Sequence, residues 1–153
     1  MRQEVVLRDV SEQDVMFLFY LANDLECRKS SLNSDKIMLE EHLIWFEQMM
    51  KNPMKKQYIL VDSCERVGQG RLEQIGNKCR ISYSIVPECR GRGYGKVLLR
   101  LLEDAACRDF SGCMYVYGEV LEWNISSRRI FEQLGYIGEK KKDYFYFQKA
   151  VTD

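Results

Sequence analysis

The residues with the clearest potential for chemistry lie in the sequence RGRGYGK, residues 90–96. Three glycines alternate there with larger side chains, and the chain then runs directly into the apolar stretch VLLRLLEDAA. Glycine costs roughly 0.5–1 kcal/mol per residue in a helix or strand relative to alanine, so three glycines at a helix start require a compensating role. Successive backbone amides at such a turn bind anions, and the helix dipole adds about half a positive charge. The predicted pyrophosphate site consists of Arg90, Gly91, Arg92, Gly93, Tyr94, Gly95 and Lys96.

Two common phosphate-binding motifs do not match this segment. In a Walker loop GxxxxGK is followed by Ser or Thr, whereas Lys96 is followed by Val97 and the glycine spacing differs. A dinucleotide fingerprint opens a βαβ unit, whereas this segment follows three predicted strands of a meander. From these residues alone, a solvated Arg/Gly turn without a ligand is the alternative.

The composition indicates one soluble domain without a dominant charge. The 153 residues suit a single domain over residues 1–153, which at this length buries about 68–70% of its unfolded surface. The 23 basic and 23 acidic residues cancel, which argues against a nucleic-acid or membrane-surface partner. The first ten residues lack the apolar centre of a signal peptide, and no run approaches the ~18 apolar residues of a membrane span. We therefore expect a cytoplasmic protein, either a monomer or a homodimer.

The six cysteines and the single histidine form no metal-binding pattern. The cysteines show no CxxC spacing, and no second histidine accompanies them. We expect scattered buried thiols in a reducing compartment, and no metal. His42 lies on a predicted amphipathic helix, where we expect it at the surface.

Two helices are predicted in the first third of the chain, after a strand at residues 4–9. The first starts at a capping box formed by Ser11 and Asp14 and runs through FLFYLAND. Residues 26–34 are polar and predict a loop. The second helix is amphipathic and ends before Pro53. Its predicted apolar face consists of Leu39, Leu43, Phe46 and Met50.

The rest of the chain predicts strands on either side of the glycine segment. Three consecutive strands precede it and form an antiparallel meander. The segment itself opens a helix whose apolar positions recur at helical spacing. Together the elements predict an α/β (α+β) fold with helices on the faces of a mixed sheet. The predicted strands are residues 57–62, 67–75, 79–86, 114–120 and 143–150, with a short helix at 125–134 closed by Gly135.

Two sequence blocks together resemble the GNAT superfamily of acetyl-CoA-dependent N-acetyltransferases. Residues 90–95 match its Q/R-x-x-G-x-G/A signature, and Val86-Pro87 precedes them where that family commonly has V-x-P. The block GEVLEWNISSRRIFEQLGYI, residues 118–137, is similar to the family's later motif, an asparagine with a small residue three positions on and a terminal L-G-F/Y. The resemblance implies an acyltransferase with a GNAT-like, mostly antiparallel sheet of six to seven strands and about four helices.

The resemblance also implies where coenzyme A binds. The amides of residues 91–95 would hold the pyrophosphate, and the splayed strand that ends at Ile85 and Val86 would pair with the pantetheine amides. Asn124 matches the family's pantetheine-contacting asparagine, and Ser127 takes the small-residue position beside it. Acetyl-CoA is the implied co-substrate, with no metal.

A glutamate is the predicted general base. Deprotonating an amine of pKa ~10.4 at pH 7 costs about 4.6 kcal/mol, whereas expelling a thiolate of pKa ~8.5 costs about 2 kcal/mol, so the base matters more than the acid. Glu119 takes the position at which ribosomal-protein alanine N-acetyltransferases, relatives by motif, carry a catalytic glutamate. A solvated strand glutamate is the alternative interpretation, and Glu73 is the second candidate base.

Phe131 departs from the family pattern. Many relatives carry a tyrosine seven residues after the motif asparagine, where it acts as general acid, whereas Phe131 has no hydroxyl. We expect Phe131 near the pantetheine sulfur. On this basis Phe131→Tyr would raise the rate modestly, unless the site is built for phenylalanine and leaves the hydroxyl unpaired.

The acceptor site is predicted in residues 23–46, the first two helices and their connection. This segment resembles acetyltransferases of bacterial nucleotide-sugar pathways through N-D-x-E-x-R at its start and E-E-H-x-x-W-F at its end. The implied acceptor is the primary amine of a nucleotide-linked amino sugar, with Asn23, Arg28 and Lys29 as substrate contacts. The alternatives are a protein N-terminus or lysine as acceptor, or a non-catalytic coenzyme A sensor.

Overall fold

Seven strands form one mixed sheet in the computed structural model, which describes residues 4–31 and 35–151. The prediction of a mostly antiparallel sheet with helices on its faces is confirmed. The strands are β1 (Val5–Asp9), β2 (Lys55–Asp62), β3 (Glu65–Ile75), β4 (Lys78–Ile85), β5 (Tyr115–Leu121), β6 (Ile137–Lys140) and β7 (Tyr144–Ala150). The helices are α1 (Val15–Ala22), α2 (Leu25–Lys29), α3 (Leu39–Lys51), α4 (Tyr94–Asp109) and α5 (Ile125–Gln133).

One strand pair breaks the antiparallel pattern and opens the sheet. The strands lie in the order β1-β2-β3-β4-β5-β7-β6, and β4 and β5 are parallel, joined by the crossover helix α4. These two strands pair from Lys78 opposite Tyr115 to Arg80 opposite Tyr117. Both strands then continue without pairing to each other, so a gap opens between their carboxyl ends.

The larger part of the core lies between the sheet and α4. Gly70 on β3 permits the close approach of the helix, because a Cβ there would lie 2.7 Å from a methyl carbon of Leu102. Burying one leucine of this kind contributes about 1.5–3 kcal/mol. The fully buried residues of this layer include Tyr58, Leu60, Leu72, Leu98, Leu99, Leu102, Val116, Phe131 and Phe147.

The opposite face of the sheet is covered by α1 and α3. The prediction for the buried face of α3 is wrong at three of its four positions, because Leu39, Leu43 and Met50 are exposed. The helix instead buries His42, Phe46 and Met49, with Phe46 and Met49 in a cluster that also holds Leu18 and Ile59. Both sets have helical spacing, so periodicity could not choose between them.

Two short elements and the exposure of the cysteines also differ from the sequence-based expectation. The predicted loop at residues 26–34 contains most of α2, which is capped by Asp24 accepting from the Cys27 amide at 3.3 Å. Strand β6 has four exposed residues and was not predicted. Of the six cysteines, Cys79 alone is buried; Cys64 is exposed at the β2–β3 turn, and the other four are half-buried. Among the described helices, none has the length and apolar character needed to cross a membrane.

Asp14, at the start of α1, is fully buried and joins three parts of the fold. Its carboxylate accepts hydrogen bonds from Arg8 on β1 at 2.8 and 2.9 Å, from Arg66 on β3 at 2.8 Å, and from the Ser11 amide at 2.8 Å. The hydrogen bonds from Arg8, with those from Ser11 and Arg66, hold the pKa of Asp14 well below its usual range although burial opposes this. The predicted capped start of this helix is confirmed for the Ser11–Asp14 contact.

Candidate active site

One cavity of about 1360 Å³, here called the cleft, connects the regions that the sequence singles out. It begins at the N-terminus of α4, passes the gap between β4 and β5, and reaches the face of the sheet that α1 and α3 cover. Residues from both GNAT-like blocks and from the predicted acceptor segment line it. The cleft therefore brings the predicted coenzyme and acceptor regions together.

The N-terminus of α4 presents unused backbone donors to the cleft. Within the described residues, the amides of residues 91–96 donate no hydrogen bond, and the first bond that closes the helix runs from the Val97 amide to the Gly93 carbonyl at 3.4 Å. Gly91 and Gly93 have φ values of +77° and +86°, which other residues adopt at a cost, and no atom lies within 4 Å of a Cβ at either position. This geometry fits the predicted pyrophosphate site.

The side chains of the glycine segment have different environments. Arg90 links the segment to the acceptor side, since its Nε donates to the Ile85 carbonyl at 3.0 Å and its Nη2 to Asp24 at 2.8 Å. Although burial opposes it, the hydrogen bonds from Arg90 and the Cys27 amide keep the pKa of Asp24 below its usual value. Arg90 is thus occupied by the protein itself.

Three further residues of the segment were predicted as coenzyme contacts. Lys96 lines the cleft. Tyr94 also lines it, but its hydroxyl donates to Asp62. Arg92 is exposed and is not brought to the cleft.

The gap between β4 and β5 exposes backbone groups of Tyr83 and Ile85. The Val86 amide donates to the Val67 carbonyl at 2.9 Å, so this pair is hydrogen-bonded across β3 and β4. Because antiparallel pairs alternate, the backbone groups of Tyr83 and Ile85 point away from β3, toward the gap. The position predicted for Ile85 agrees with this geometry, whereas the Val86 amide is used inside the sheet. The sequence did not identify Tyr83.

The second GNAT-like block places Asn124 and Ser127 at the other wall of the gap. Asn124 caps α5 by accepting from the Ser127 amide at 3.3 Å, and its Nδ2 lies 3.4 Å from the Ser30 hydroxyl. The Ser127 hydroxyl lies 2.8 Å from the Tyr83 hydroxyl. Burial raises the pKa of Tyr83, and the Ser127 contact partly offsets this. Both predicted residues line the cleft.

Phe131 is a core residue at the bottom of the cleft. Its side chain is 1% exposed and stacks on Phe147 with ring centres 5.3 Å apart. A Cβ at Gly118 on β5 would lie 2.5 Å from the Phe131 Cζ atom. The tip of the ring therefore faces the backbone of β5, and the ring fills the space that a side chain at Gly118 would need.

Of the two predicted bases, Glu119 lies in the cleft and Glu73 does not. Glu119 forms an ion pair with Arg80 on the neighbouring strand at 2.9 Å, and both residues line the cavity. Glu73 is absent from the cavity lining and lies 3.9 Å from Lys55 Nζ. Of the two candidates, Glu119 is therefore the one placed to meet a ligand in the cleft.

The predicted substrate contacts are mainly structural. Asn23 donates to the Ile37 carbonyl at 2.9 Å and accepts from the Ile37 amide at 2.8 Å, so its amide group is used by the chain. Arg28 lines the cleft, but its Nε donates to the Ala22 carbonyl at 2.7 Å. Lys29 is exposed and not brought to the cleft. Residues 32–34 of this segment lie outside the described residues.

His42 contradicts the prediction of a surface residue. It is 4% exposed, and its Nε2 lies 2.9 Å from the Val15 carbonyl, so that nitrogen is the donor. Its ring stacks on Trp45 with centres 5.5 Å apart, and both line the cleft. The partner carbonyl lies 27 residues away in sequence, which no local pattern could show.

The sequence analysis also missed a row of polar side chains on the sheet, here called the floor of the cleft. On the face covered by α1 and α3, Gln57 donates to Gln69 at 2.7 Å and Gln69 donates to Ser84 at 2.8 Å, across three strands. Arg71 lies beside them, with its guanidinium 5.1 Å from the centre of the Trp45 ring. The available signal was polar residues at every second position of predicted strands, which also describes a solvated face.

Fold and site together identify the family. A family model of the acetyltransferase (GNAT) domain matches residues 4–137, so the chain belongs to this family of acyltransferases. An uncharacterized N-acetyltransferase of Methanocaldococcus jannaschii is 35% identical over 71 residues, which are 46% of this chain and 45% of that protein. The match therefore spans less than half the length of that relative.

Solved structures agree on the fold. Spermidine N-acetyltransferase from Vibrio cholerae, in complex with CoA and spermine, has a TM-score of 0.88 and 15% identity, covering 96% of this chain and 95% of that chain. An aminoglycoside acetyltransferase in complex with coenzyme A has a TM-score of 0.81 and 15% identity, with the same coverage. At these identities the likeness establishes the fold alone.

Proposed function

We propose that the chain transfers an acetyl group from acetyl-CoA to a primary amine of a small molecule. One observation carries the proposal: the open first turn of α4, the gap between β4 and β5, and Glu119 all line a single cavity. A long ligand with an anionic end fits this path. The two solved neighbours contain coenzyme A and act, by their names, on spermidine and on aminoglycosides, which supports a small-molecule amine as acceptor.

Different groups of the chain bind the coenzyme and accept the proton of the amine. The amides of residues 91–96 bind the pyrophosphate. The backbone groups of Tyr83 and the amide of Ile85 orient the pantetheine as an added strand would be oriented, while the Ile85 carbonyl accepts from Arg90. Acetyl-CoA supplies the thioester that the amine attacks directly. Glu119 accepts the proton that the acceptor ammonium must lose, and Arg80 holds the carboxylate in place.

The identity of the amine is a separate question. A nucleotide-linked amino sugar, predicted from residues 23–46, gains no support from the spermidine and aminoglycoside neighbours. It stays one prediction among the small-molecule amines to be tested.

The coenzyme site can be tested with two variants of nearly equal shape. Asn and Asp both tolerate a positive φ better than most residues, so Gly93→Asn and Gly93→Asp share the backbone cost and differ in charge. Calorimetry with acetyl-CoA should show at least tenfold weaker binding, about 1.4 kcal/mol, for the Asp variant than for the Asn variant. Equal affinity in two folded variants would contradict pyrophosphate binding at this turn.

Turnover is tested with the wild-type protein. Acetyl-CoA and a panel of polyamines, amino sugars, amino acids and peptides are incubated with it, and thiol release and product mass are followed. Acetylation of a small-molecule amine is expected. Acetylation of peptides alone would overturn the proposed acceptor class, and coenzyme binding with no product would favour a sensor.

A further inference from the structure

Arg71 places a cationic side chain on the floor of the cleft. Its cross-strand partners are Gln57 on β2 and Ser82 on β4, and all three residues line the cavity. The guanidinium lies over the Trp45 ring at 5.1 Å, and Trp45 stacks in turn on the buried His42. These contacts fix the guanidinium at the acceptor end of the cleft, on the face covered by α1 and α3.

Arg71 differs from the other arginines of the cleft in having no hydrogen-bond or ion-pair partner among the described residues. In the part of the chain that the structure describes, it donates no hydrogen bond and forms no ion pair. Glu73, on the same strand, is directed to Lys55 instead. The other cleft arginines have partners: Arg80 has Glu119 at 2.9 Å, Arg90 has Asp24 at 2.8 Å, and Arg28 has the Ala22 carbonyl at 2.7 Å.

Arg71 is half-buried, so its guanidinium gives up part of its hydration without gaining a hydrogen bond or an ion pair within the described residues. It carries five N–H donors and stays protonated in proteins. Burial lowers the pKa of Arg71 and the nearby Arg80 lowers it further, while Glu73 opposes them. Withdrawing a charge from water without a counter-charge costs free energy. A site that keeps this charge fits a ligand that supplies the missing anion.

We propose that the acceptor amine also carries an anionic group, a carboxylate or a phosphate, and that Arg71 binds it. This inference rests on the proposed acetyltransferase function and specifies its substrate class. A carboxylate or a phosphate can accept two parallel N–H bonds from one guanidinium, which fixes orientation as well as position. Trp45 holds the plane of the guanidinium for that contact.

The floor also sets the distance between the anion and the reacting amine. Arg80 is the diagonal neighbour of Arg71 across β3 and β4, and it pairs with Glu119 on β5. Where the strands pair, β3 and β5 lie two strand spacings apart, about 10 Å, and Glu119 lies past Tyr117, where the gap widens that separation. With the anion at Arg71 and the amine at Glu119, the acceptor is a small molecule that carries the two groups at opposite ends. A polyamine brings only cations, which Arg71 repels.

Binding is tested first, because it requires no turnover. Tryptophan fluorescence reports on Trp45 and Trp123, which both line the cleft. The probes form matched pairs: γ-aminobutyrate with butylamine, and phosphoethanolamine with ethanolamine. In the wild type, at least one amine with an anionic group should bind roughly 10- to 150-fold more tightly than its partner without that group, the range for hydrogen bonds to a charged group. The pair that shows the larger difference distinguishes carboxylate from phosphate.

Two variants show whether Arg71 causes the preference. Arg71→Gln should abolish the difference within each pair. Arg71→Lys should retain part of it, because lysine keeps the positive charge but lacks the two parallel N–H donors of the guanidinium. Arg100→Gln, at an exposed arginine of α4 outside the cleft, is the matched control and should behave as wild type. Equal affinities within both pairs, or a preference that survives in Arg71→Gln, would overturn the inference.

Turnover then separates this inference from the function on which it rests. The value of kcat/KM for the preferred anionic amine should fall by a similar factor in Arg71→Gln, while the affinity for acetyl-CoA stays unchanged. Binding through Arg71 without acetylation of any amine would refute the acetyltransferase proposal alone. Efficient acetylation of amines that lack an anionic group, with no preference for their partners that carry one, would refute the role of Arg71 alone.

Discussion

Phe131→Tyr adds one oxygen atom at the most crowded point of the core. The hydroxyl projects from Cζ, which would lie 2.5 Å from a Cβ at Gly118, so it meets the backbone of β5. Overpacking of this kind costs about 1–3 kcal/mol, and a buried unpaired hydroxyl costs about 1–3 kcal/mol more. We expect a loss of at least about 2 kcal/mol, which lowers Tm by roughly 4–8 °C in a chain of this size.

Thermal unfolding and acetylation rate are the two measurements. Phe145→Tyr, at a half-buried ring on β7, is the control for adding a hydroxyl and should change Tm much less. Gly118→Ala should cause a similar loss of stability from the other side of the contact. Adding Phe131→Leu to Gly118→Ala should recover part of that loss. The Phe131→Tyr variant should turn over no faster than wild type. An unchanged Tm with a faster rate would refute this reasoning and restore the idea of a missing general acid.

Two further predictions concern carboxylates. Glu119→Gln should lower kcat at pH 7 by roughly 10²–10⁴-fold and recover partly at alkaline pH, whereas Glu73→Gln, outside the cleft, should not; equal pH–rate profiles in the two variants would move the base elsewhere. Asp14→Asn should cost about 1–3 kcal/mol near neutral pH. Because the folded pKa of Asp14 lies below the unfolded value of 3.8, its stabilisation is full above that value and is lost as pH falls further. In urea titrations, the difference between wild type and Asp14→Asn should therefore shrink below pH 3.8, and a constant difference down to pH 2.5 would contradict the assignment.

The glycine segment was predictable because its determinants are local. The positive φ values of Gly91 and Gly93 and the start of α4 within three residues of them all follow from neighbouring residues. The same holds for the end of α5, where Gly135 has a φ of +89°. Strand positions were also predicted well, since turn residues separate them.

The rest depended on contacts between distant parts of the chain. His42 is buried and donates a hydrogen bond from Nε2 to the Val15 carbonyl on α1. Phe131 replaces a family tyrosine, and the sequence did not show that Gly118 gives its ring space. Arg71 looked like any polar residue on a strand. Only with the neighbouring strands in place is it visible that, among the described residues, its contact is the Trp45 ring and not an ion pair or a hydrogen bond. Local patterns thus located the coenzyme end of the cleft better than the acceptor end.

The paired hydrogen bonds between Asn23 and Ile37 have a consequence for how such enzymes diverge. These hydrogen bonds bring the two ends of a chain segment together. The segment contributes Cys27, Arg28 and Ser30 to the cleft. Doubling the length of a closed loop costs only about 0.6 kcal/mol. A change in the length of the segment therefore costs little in chain entropy. A change that keeps Asp24 for Arg90 would reshape the acceptor side of the cleft and leave the coenzyme turn in place.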